Sequence, residues 1–213
     1  MATVLSVNVG RGMASRHNDS GITGIDKRPS SGPVEIKDPG PRTGRSGLSG
    51  DLIGDPIAHG GTDQAVYAFA REDLDIWQAE LGRPLPGGVF GENLTTLGLD
   101  VSGALVGERW RVGPECVLEV TSPRIPCDTF ATWLEDQKWV KRFTERGAPG
   151  AYLRVITPGV VKGGDQITVL SRPAHDVTIA FMFRAMTTEK SALPQLVAAG
   201  DALPAEMRQA LLA

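Results

Sequence analysis

The chain has 213 residues, 41% of them apolar and 22% charged, which suffices for one globular domain and excludes a wholly disordered protein. Its formal net charge of −3 argues against binding to nucleic acid or to a membrane surface, because both partners attract clustered positive charge. The 26 glycines and 15 prolines make up about 19% of the chain, against an average of about 12%. This content of turn-forming residues argues against a helical bundle and predicts short strands joined by turns.

Strand patterns dominate the first 183 residues. Alternating or β-branched runs predict strands at residues 3–9, 66–69, 104–112, 117–121, 152–156, 167–170 and 177–181. Residues 10–62 are rich in Gly, Pro, Ser and Asp and predict strands and loops. Two helices are predicted between the strands. One covers residues 71–81 and is closed by Gly82, and the other begins near Thr132, with capping-box spacing, and ends at Gly147.

The composition changes after residue 183. Residues 188–212 are rich in Ala and Leu, with Pro194 and Pro204 at positions typical of a first helical turn and Gly200 between them. This pattern predicts two short helices. The sequence therefore predicts a mainly β fold with a few helices, made of a barrel-like domain over residues 1–183 and a short C-terminal helical appendage over residues 184–213.

The cellular setting is predicted from features that the sequence lacks. No apolar run approaches the roughly 20 residues that cross a bilayer, and residues 1–10 lack the basic start and long apolar core of a signal peptide. We therefore expect a cytoplasmic protein with no membrane or nucleic-acid partner. Cys116 and Cys127 are expected to stay unpaired in that reducing compartment. No CxxC or HExxH motif is present, so no zinc site of sequence-local ligands is predicted.

Cys127 is the residue whose surroundings most favour chemistry. It follows Pro123 and Pro126, which stiffen the loop between a strand and a helix because proline fixes φ. The positive end of the helix and Arg124 would both favour the thiolate, which is the form that binds soft metals or attacks sulfur and carbon. A buried structural cysteine is the alternative, and it is the interpretation that we favour for Cys116.

Three other segments carry weaker signals, each with a structural alternative. Gly60 and Gly61 follow His59 and would permit either close approach of a ligand or a tight turn. Asn93 could bind the edge of a heterocycle or satisfy backbone groups of its own loop. The Gly- and Arg-rich loop over residues 39–51 could cradle a phosphate or be a surface loop without a ligand.

Four segments, taken in order, form one signature. They are Gly47-Leu-Ser-Gly-Asp51, His59-Gly-Gly-Thr-Asp-Gln-Ala-Val66, Phe90-Gly-Glu-Asn-Leu-Thr95 and Pro123-Arg-Ile-Pro-Cys127. Together they resemble the motifs of the MOSC family, named after the C-terminal domain of molybdenum-cofactor sulfurase, and most of all its free-standing YiiM-like branch. The resemblance extends from about residue 3 to about residue 180. It implies a MOSC-type β-barrel and a site for the molybdenum cofactor (molybdopterin).

The resemblance also implies roles for individual residues. Cys127 would be the metal ligand or the carrier of activated sulfur, and Arg124, His59 and Asn93 would line the pocket. A phosphate-bearing pterin further requires positive charge, for which Lys27, Arg45 and Arg124 are the candidates. The expected cofactor-binding residues are therefore Cys127, Arg124, Asn93, Gly60, Gly61, Lys27 and Arg45.

The activity that the resemblance implies is the reduction of N-hydroxylated compounds, such as N-hydroxylated purine bases, with electrons from a separate reductase. Cys127 and His59 would be the catalytic residues. His59 would deliver a proton, since the ordinary pKa of histidine is about 6.5. The alternative is a non-catalytic carrier of sulfur or of the molybdenum cofactor, with a persulfide on Cys127. A third interpretation is a small-molecule binding module without chemistry.

Overall fold

The computed structural model describes residues 1–17, 19–42, 44–55 and 59–212. The strands are β1 (Ala2–Ala14), β2 (Ile22–Pro29), β3 (Val34–Ile36), β4 (Val66–Ala70), β5 (Leu94–Leu97), β6 (Arg109–Val112), β7 (Cys116–Pro123), β8 (Ala151–Thr157), β9 (Gly159–Val161) and β10 (Gln166–Ser171). The α-helices are α1 (Arg71–Leu81), α2 (Asp128–Trp133), α3 (Trp139–Arg146), α4 (Ile179–Thr187) and α5 (Ala205–Leu212), with 3-10 segments at Thr62–Gln64 and Lys190–Ala202.

Seven strands close into a β-barrel, which confirms the predicted fold class. The order around the barrel is β10-β6-β7-β8-β4-β5-β1, and β1 returns to β10 through the pair Ala2↔Ile167. Only β4 and β5 pair in parallel within this ring. β2 pairs with the second half of β1, from Asn8↔Pro29 to Ala14↔Ile22, and so extends the barrel on one side as a hairpin.

Strand β4 is buried on both faces and separates two cores. Its Val66, Ala68 and Ala70 pack into an aliphatic core that unites the barrel with α4 and the C-terminal segment. Its alternate residues Tyr67 and Phe69 pack into an aromatic core against α1, α2 and α3. β4 therefore holds the helices on one side of the barrel, next to the site described below.

The prediction of one continuous second helix is wrong, because the structure has two shorter helices in this region. Helix α2 begins at Asp128, earlier than expected, and ends at Trp133, and a separate helix α3 begins at Trp139. Glu135 breaks the helix because it adopts φ +56° and is the one non-glycine with positive φ in the described part of the chain. The prediction that Gly147 ends the second helix is confirmed, since it closes α3 in the left-handed conformation.

The predicted strand at 177–181 is also wrong. Thr178 is the N-cap of α4, and its side chain accepts a hydrogen bond from the Phe181 N–H at 3.0 Å, which starts a helix in place of a strand. The boundary expected after residue 183 falls inside α4, whose Met182 and Phe183 are fully buried. The segment predicted as strand 104–112 is regular only over Arg109–Val112, because Gly107 turns the chain at φ +89°.

The C-terminal helices are present as predicted. Lys190–Ala202 forms 3-10 turns with a kink at Gly200, and α5 follows directly after Pro204. Arg154 of β8 donates to the Ala202 carbonyl at 3.1 Å, which ties this segment to the barrel. Among the helices of the described ranges, none combines the length and apolarity that a membrane span needs.

Candidate functional site

A cavity of about 280 Å³ lies where the β1–β2 hairpin, the loop after β7 and the start of α2 come together. It brings together six of the eight residues predicted for the site. These are Lys27, His59, Gly60, Asn93, Arg124 and Cys127. The segments that carry them are far apart in sequence, and the closure of the barrel places them around one opening.

Arg124 is a buried cation that faces this cavity without a carboxylate partner. It directly follows β7, and its guanidinium carbon lies 5.2 Å from the ring centroid of Tyr67 and 4.6 Å from that of Phe130. Within the described part of the chain, Arg124 enters no ion pair and its Nε has no hydrogen-bond partner. Because burial of an unpaired charge is costly, this arrangement favours an anion in the cavity.

Lys27 is the second cation of the cavity and is held by Asp51. The Asp51 carboxylate accepts hydrogen bonds from Lys27 Nζ and the Gly10 N–H at 2.5 Å, from Ser46 Oγ at 2.6 Å and from Asn93 Nδ2 at 2.9 Å. Burial alone would raise the pKa of Asp51, but Lys27 and the other donors lower it overall. Burial lowers the pKa of Lys27, and Asp51 opposes this effect. Lys27 is thereby oriented at the cavity wall, and among the described residues its Nζ donates to Asp51 alone.

The Asn93 side chain has mainly a structural role in this geometry. Its Oδ1 accepts from the Tyr67 N–H at 3.1 Å, and its Nδ2 donates to Asp51 and to the Asn8 carbonyl at 3.3 Å. The adjacent Glu92 accepts from Gly88 N–H, Phe90 N–H and Thr95 Oγ1, which fixes the loop before β5. Asn93 therefore lines the cavity and holds its wall, and its predicted contact to a cofactor stays a prediction.

The loop of His59 is anchored to the barrel through Asp63. Arg154 forms an ion pair with Asp63 at 3.0 Å, and Thr121 Oγ1 donates to the Asp63 carbonyl at 2.6 Å. Gly60 has φ +84° and its N–H donates to Gln64 Oε1 at 3.2 Å, so the turn after His59 requires a residue without a side chain. These contacts hold His59 at the cavity wall.

The position of His59 changes its protonation. Burial and then the nearby Arg124 guanidinium lower the pKa of His59 to about 4. At neutral pH the ring is therefore uncharged. The proton delivery predicted from the ordinary pKa needs a bound anion that offsets the positive charge of Arg124 and Lys27.

We expect this neutral state to be measurable. In cofactor-free protein, the folded state binds the His59 proton more weakly than the unfolded state does. Stability therefore falls as the pH decreases from about 6.5 toward 4. In NMR spectra assigned through a His59→Gln variant, the ring resonances should titrate with a midpoint near 4. A midpoint near 6.5 would show that Arg124 and burial do not control this ring.

Cys127 lies at the rim of the cavity and begins α2. It has extended φ and ψ of −137° and 171°, and its carbonyl accepts from the Ala131 N–H at 3.0 Å. Its side chain makes no capping hydrogen bond and is partly exposed. Cys116 is fully buried in the aliphatic core, and burial raises the pKa of its thiol to about 12. The structure thus separates a reachable thiol from an inert one.

A thiol reagent should distinguish these two cysteines. In native, cofactor-free protein we expect one thiol per chain to react with an aromatic disulfide reagent and both to react after denaturation, because the thiolate must be both formed and accessible. The Cys127→Ser variant should show no fast-reacting thiol. Fast labelling of Cys116 in the native protein would contradict the burial described here.

Two predicted residues do not line the cavity. Arg45 is exposed, although its carbonyl oxygen borders the position of Gly60. Gly61 has φ +81° and packs beside the Arg42 side chain, where it precedes the 3-10 turn Thr62–Gln64. Its role in this structure is the turn itself, and the contacts of both residues with a cofactor stay predictions.

Two tyrosines of the cavity wall were missed from the sequence. Tyr67 and Tyr152 face each other across β4 and β8, with ring centroids 5.1 Å apart. Burial raises the pKa of both hydroxyls, so both stay protonated at neutral pH. The alternation within β4 is not visible in the sequence because both faces of this strand are buried. The two tyrosines can be recognised as neighbours only from the pairing of β4 with β8, which places Tyr67 opposite Tyr152.

The donor set does not fit a metal ion held by protein side chains alone. Over the described ranges, no three His, Cys, Asp or Glu side chains come close enough to bind one ion. The cavity instead offers one sulfur, an unpaired guanidinium, a lysine and amide groups. This set fits a polar anionic ligand that brings its own metal and takes one further soft ligand from the protein.

Comparison with known proteins gives consistent matches. The sequence profile of the MOSC domain matches residues 55–168, more than half of the chain. The uncharacterised protein YflK of Bacillus subtilis (strain 168) is 33% identical over 183 residues, which cover 85% of this chain and 79% of YflK. A protein of Gibberella moniliformis named "Reductase" is 33% identical over 129 residues, which cover 57% of this chain but only 23% of that protein.

One solved structure has the same fold over the whole length of this chain. The crystal structure of YiiM from Geobacillus stearothermophilus superposes with a TM-score of 0.79 at 26% sequence identity, covering 100% of this chain and 98% of YiiM. The similarity therefore includes the C-terminal helices as well as the barrel.

Proposed function

Because the chain belongs to the MOSC family, we propose that this cavity binds the molybdenum cofactor and that the protein is an oxidoreductase that reduces N-hydroxylated compounds. The observation that carries the proposal is the buried, unpaired Arg124 guanidinium in a cavity with Cys127 at its rim. The relative named "Reductase" supports an oxidoreductase, and the YiiM structure supports the fold. We further propose a cytoplasmic protein that receives electrons from a separate reductase.

Three side chains of the cavity would hold the cofactor through charge and through a sulfur ligand. Arg124 and Lys27 offer charged N–H donors to an anionic group, and Cys127 offers the soft sulfur ligand. Gly60 leaves the cavity wall without a side chain where the ligand approaches. When bound, the cofactor would supply the two-electron redox chemistry, as is usual for cofactor enzymes.

The protein's contribution to the reaction would be charge and proton control. Reduction of an N–OH group consumes two electrons and two protons and yields an N–H group and water. A bound anion offsets Arg124 and Lys27, so the pKa of His59 should rise from about 4 and allow the ring to carry a proton. Tyr67 and Tyr152 complete the wall of the cavity, and the Tyr67 hydroxyl is held within the protein because it donates to the Pro149 carbonyl at 2.7 Å.

An activity assay tests the proposal. Protein purified from a host that makes the molybdenum cofactor should convert 6-hydroxylaminopurine to adenine with a reduced viologen as electron donor, measured by chromatography. Cofactor-free protein is the control and should be inactive. The carrier alternative predicts no adenine and a persulfide on Cys127 that releases thiocyanate with cyanide. That outcome would replace the reductase by a sulfur carrier.

A further inference from the structure

A second concavity adjoins the cofactor cavity. This groove has a volume of about 600 Å³ and lies between the β1–β2 hairpin and helix α2. It shares His17, Thr23, Ile25 and Thr129 with the first cavity, so the two concavities are direct neighbours. A volume of this size lies within the range of about 300–1,000 Å³ that is typical of small-molecule sites.

An aromatic side chain lines the groove in a fixed position. The Trp133 Nε1–H donates to the Val89 carbonyl at 2.7 Å, and the indole packs against the aromatic core. Trp77, Trp110 and Trp139 are fully buried, whereas Trp133 is half-buried. It is thus the one tryptophan that a ligand in the groove can contact. Stacking on a held aromatic ring favours a flat partner.

The opposite wall of the groove is tied to the same helix. His17 Nε2 and Thr132 Oγ1 form a hydrogen bond of 2.9 Å, which joins the turn after β1 to α2. The apolar Met13 adds to this wall and is 38% exposed. The groove is therefore bounded on both sides by elements that also border the cofactor cavity.

Glu135 adds a polar acceptor at the end of α2. It lines the groove directly after the C-cap of α2, and its φ of +56° belongs to the helix end, where the Glu135 N–H donates to the Thr132 carbonyl and the Asp136 N–H to the Ala131 carbonyl, both at 3.1 Å. Its carboxylate is exposed and forms no ion pair or side-chain hydrogen bond with any described residue. A free carboxylate beside an indole suits an aromatic heterocycle that carries N–H donors.

We propose that this groove is the substrate subsite and binds the flat, N–H-bearing heteroaromatic ring of the substrate on Trp133, with the N–OH group directed into the cofactor cavity. The proposal rests on the proposed reductase function and adds to it the residue that would recognise the ring of the substrate, Trp133. Substrates with a planar ring would be preferred over small N-hydroxy compounds without one.

A comparison of two substrates tests the groove. In cofactor-loaded protein we measure kcat/KM for 6-hydroxylaminopurine and for N-hydroxyurea, which lacks an aromatic ring. The ratio of the two values should fall about 10-fold or more in Trp133→Leu, because stacking of a base on an aromatic side chain is lost. Thr132→Phe is a second variant, since it fills the groove from an exposed helix position without opening the aromatic core, and its ratio should fall likewise. An unchanged ratio in both folded variants would overturn the proposal.

Binding of adenine provides a readout that does not depend on turnover. Adenine should quench the tryptophan fluorescence of the cofactor-loaded protein in a saturable way, and Trp133→Phe should abolish the quenching because the other three tryptophans are buried. Quenching that persists in Trp133→Phe, or no quenching in the wild type because a second copy covers the groove, would overturn the proposal. If the wild type reduces neither substrate but adenine quenches through Trp133, the reductase function fails and the heterocycle site stands.

Discussion

Cys127→Ser is expected to lower the rate of N-hydroxy reduction by at least about 10³-fold while the fold stays intact. Loss of a group that contacts the reacting centre costs a factor of this order, and a serine hydroxyl is a poor ligand for a soft metal. The fold should survive because the Cys127 side chain makes no capping hydrogen bond and is partly exposed. Steady-state kinetics and thermal unfolding of the purified variant measure both effects.

Cys116→Ala is the matched control for this prediction. Cys116 is fully buried, so the smaller side chain should lower the free energy of unfolding by about 1–3 kcal/mol and leave the activity per folded molecule unchanged. Full activity in Cys127→Ser would refute the ligand role of this sulfur. Inactivity in both variants would point to a general loss of structure.

Arg124→Met should separate cofactor binding from stability. A buried cation without a carboxylate partner is costly, so an apolar side chain of similar length should leave the free energy of unfolding unchanged or raise it by up to about 4 kcal/mol. Cofactor retention should fall about 100-fold, since loss of one partner of a buried charge contact typically costs about 2–5 kcal/mol of binding. Denaturant unfolding and cofactor content measure the two quantities.

Arg124→Lys sharpens this test. Lysine keeps the charge but lacks the planar guanidinium, which can donate two parallel hydrogen bonds to one oxyanion. The cofactor content of Arg124→Lys should therefore lie between that of the wild type and that of Arg124→Met. A structural arginine would behave differently. Destabilisation of Arg124→Met by several kcal/mol with normal cofactor content would mean that Arg124 serves the aromatic core and not a ligand.

The barrel could be predicted from the sequence where one face of a strand is polar. In β6, Trp110 and Val112 are buried and Arg109 and Arg111 are exposed, so this part of the predicted strand 104–112 shows the alternation directly. The pattern fails at residues 177–181, where Thr178 starts a helix through its side chain, and at Glu135, whose unfavourable φ divides the second helix. Both errors arise from single side-chain or backbone conformations that periodicity does not reveal.

The candidate site could be predicted as a set of residues but not as an arrangement. The motifs identified Arg124, Cys127 and His59, and the barrel brings these three residues to one cavity. The sequence could not show that Asp51 holds Lys27, or that burial and Arg124 keep His59 neutral, because these effects depend on contacts across the fold. Arg45 is predicted from its charge and from its place in the Gly- and Arg-rich loop over residues 39–51, but in the structure it is exposed and does not line the cavity.

The most direct test of the cavity's role is the molybdenum content of protein purified from a host that makes the cofactor. We expect close to one molybdenum atom per wild-type chain, with the pterin recovered in equal amount, and a strong loss of both in Arg124→Met. A wild-type protein without molybdenum, from cells in which another molybdenum enzyme is fully loaded, would contradict the proposal that this cavity holds the cofactor.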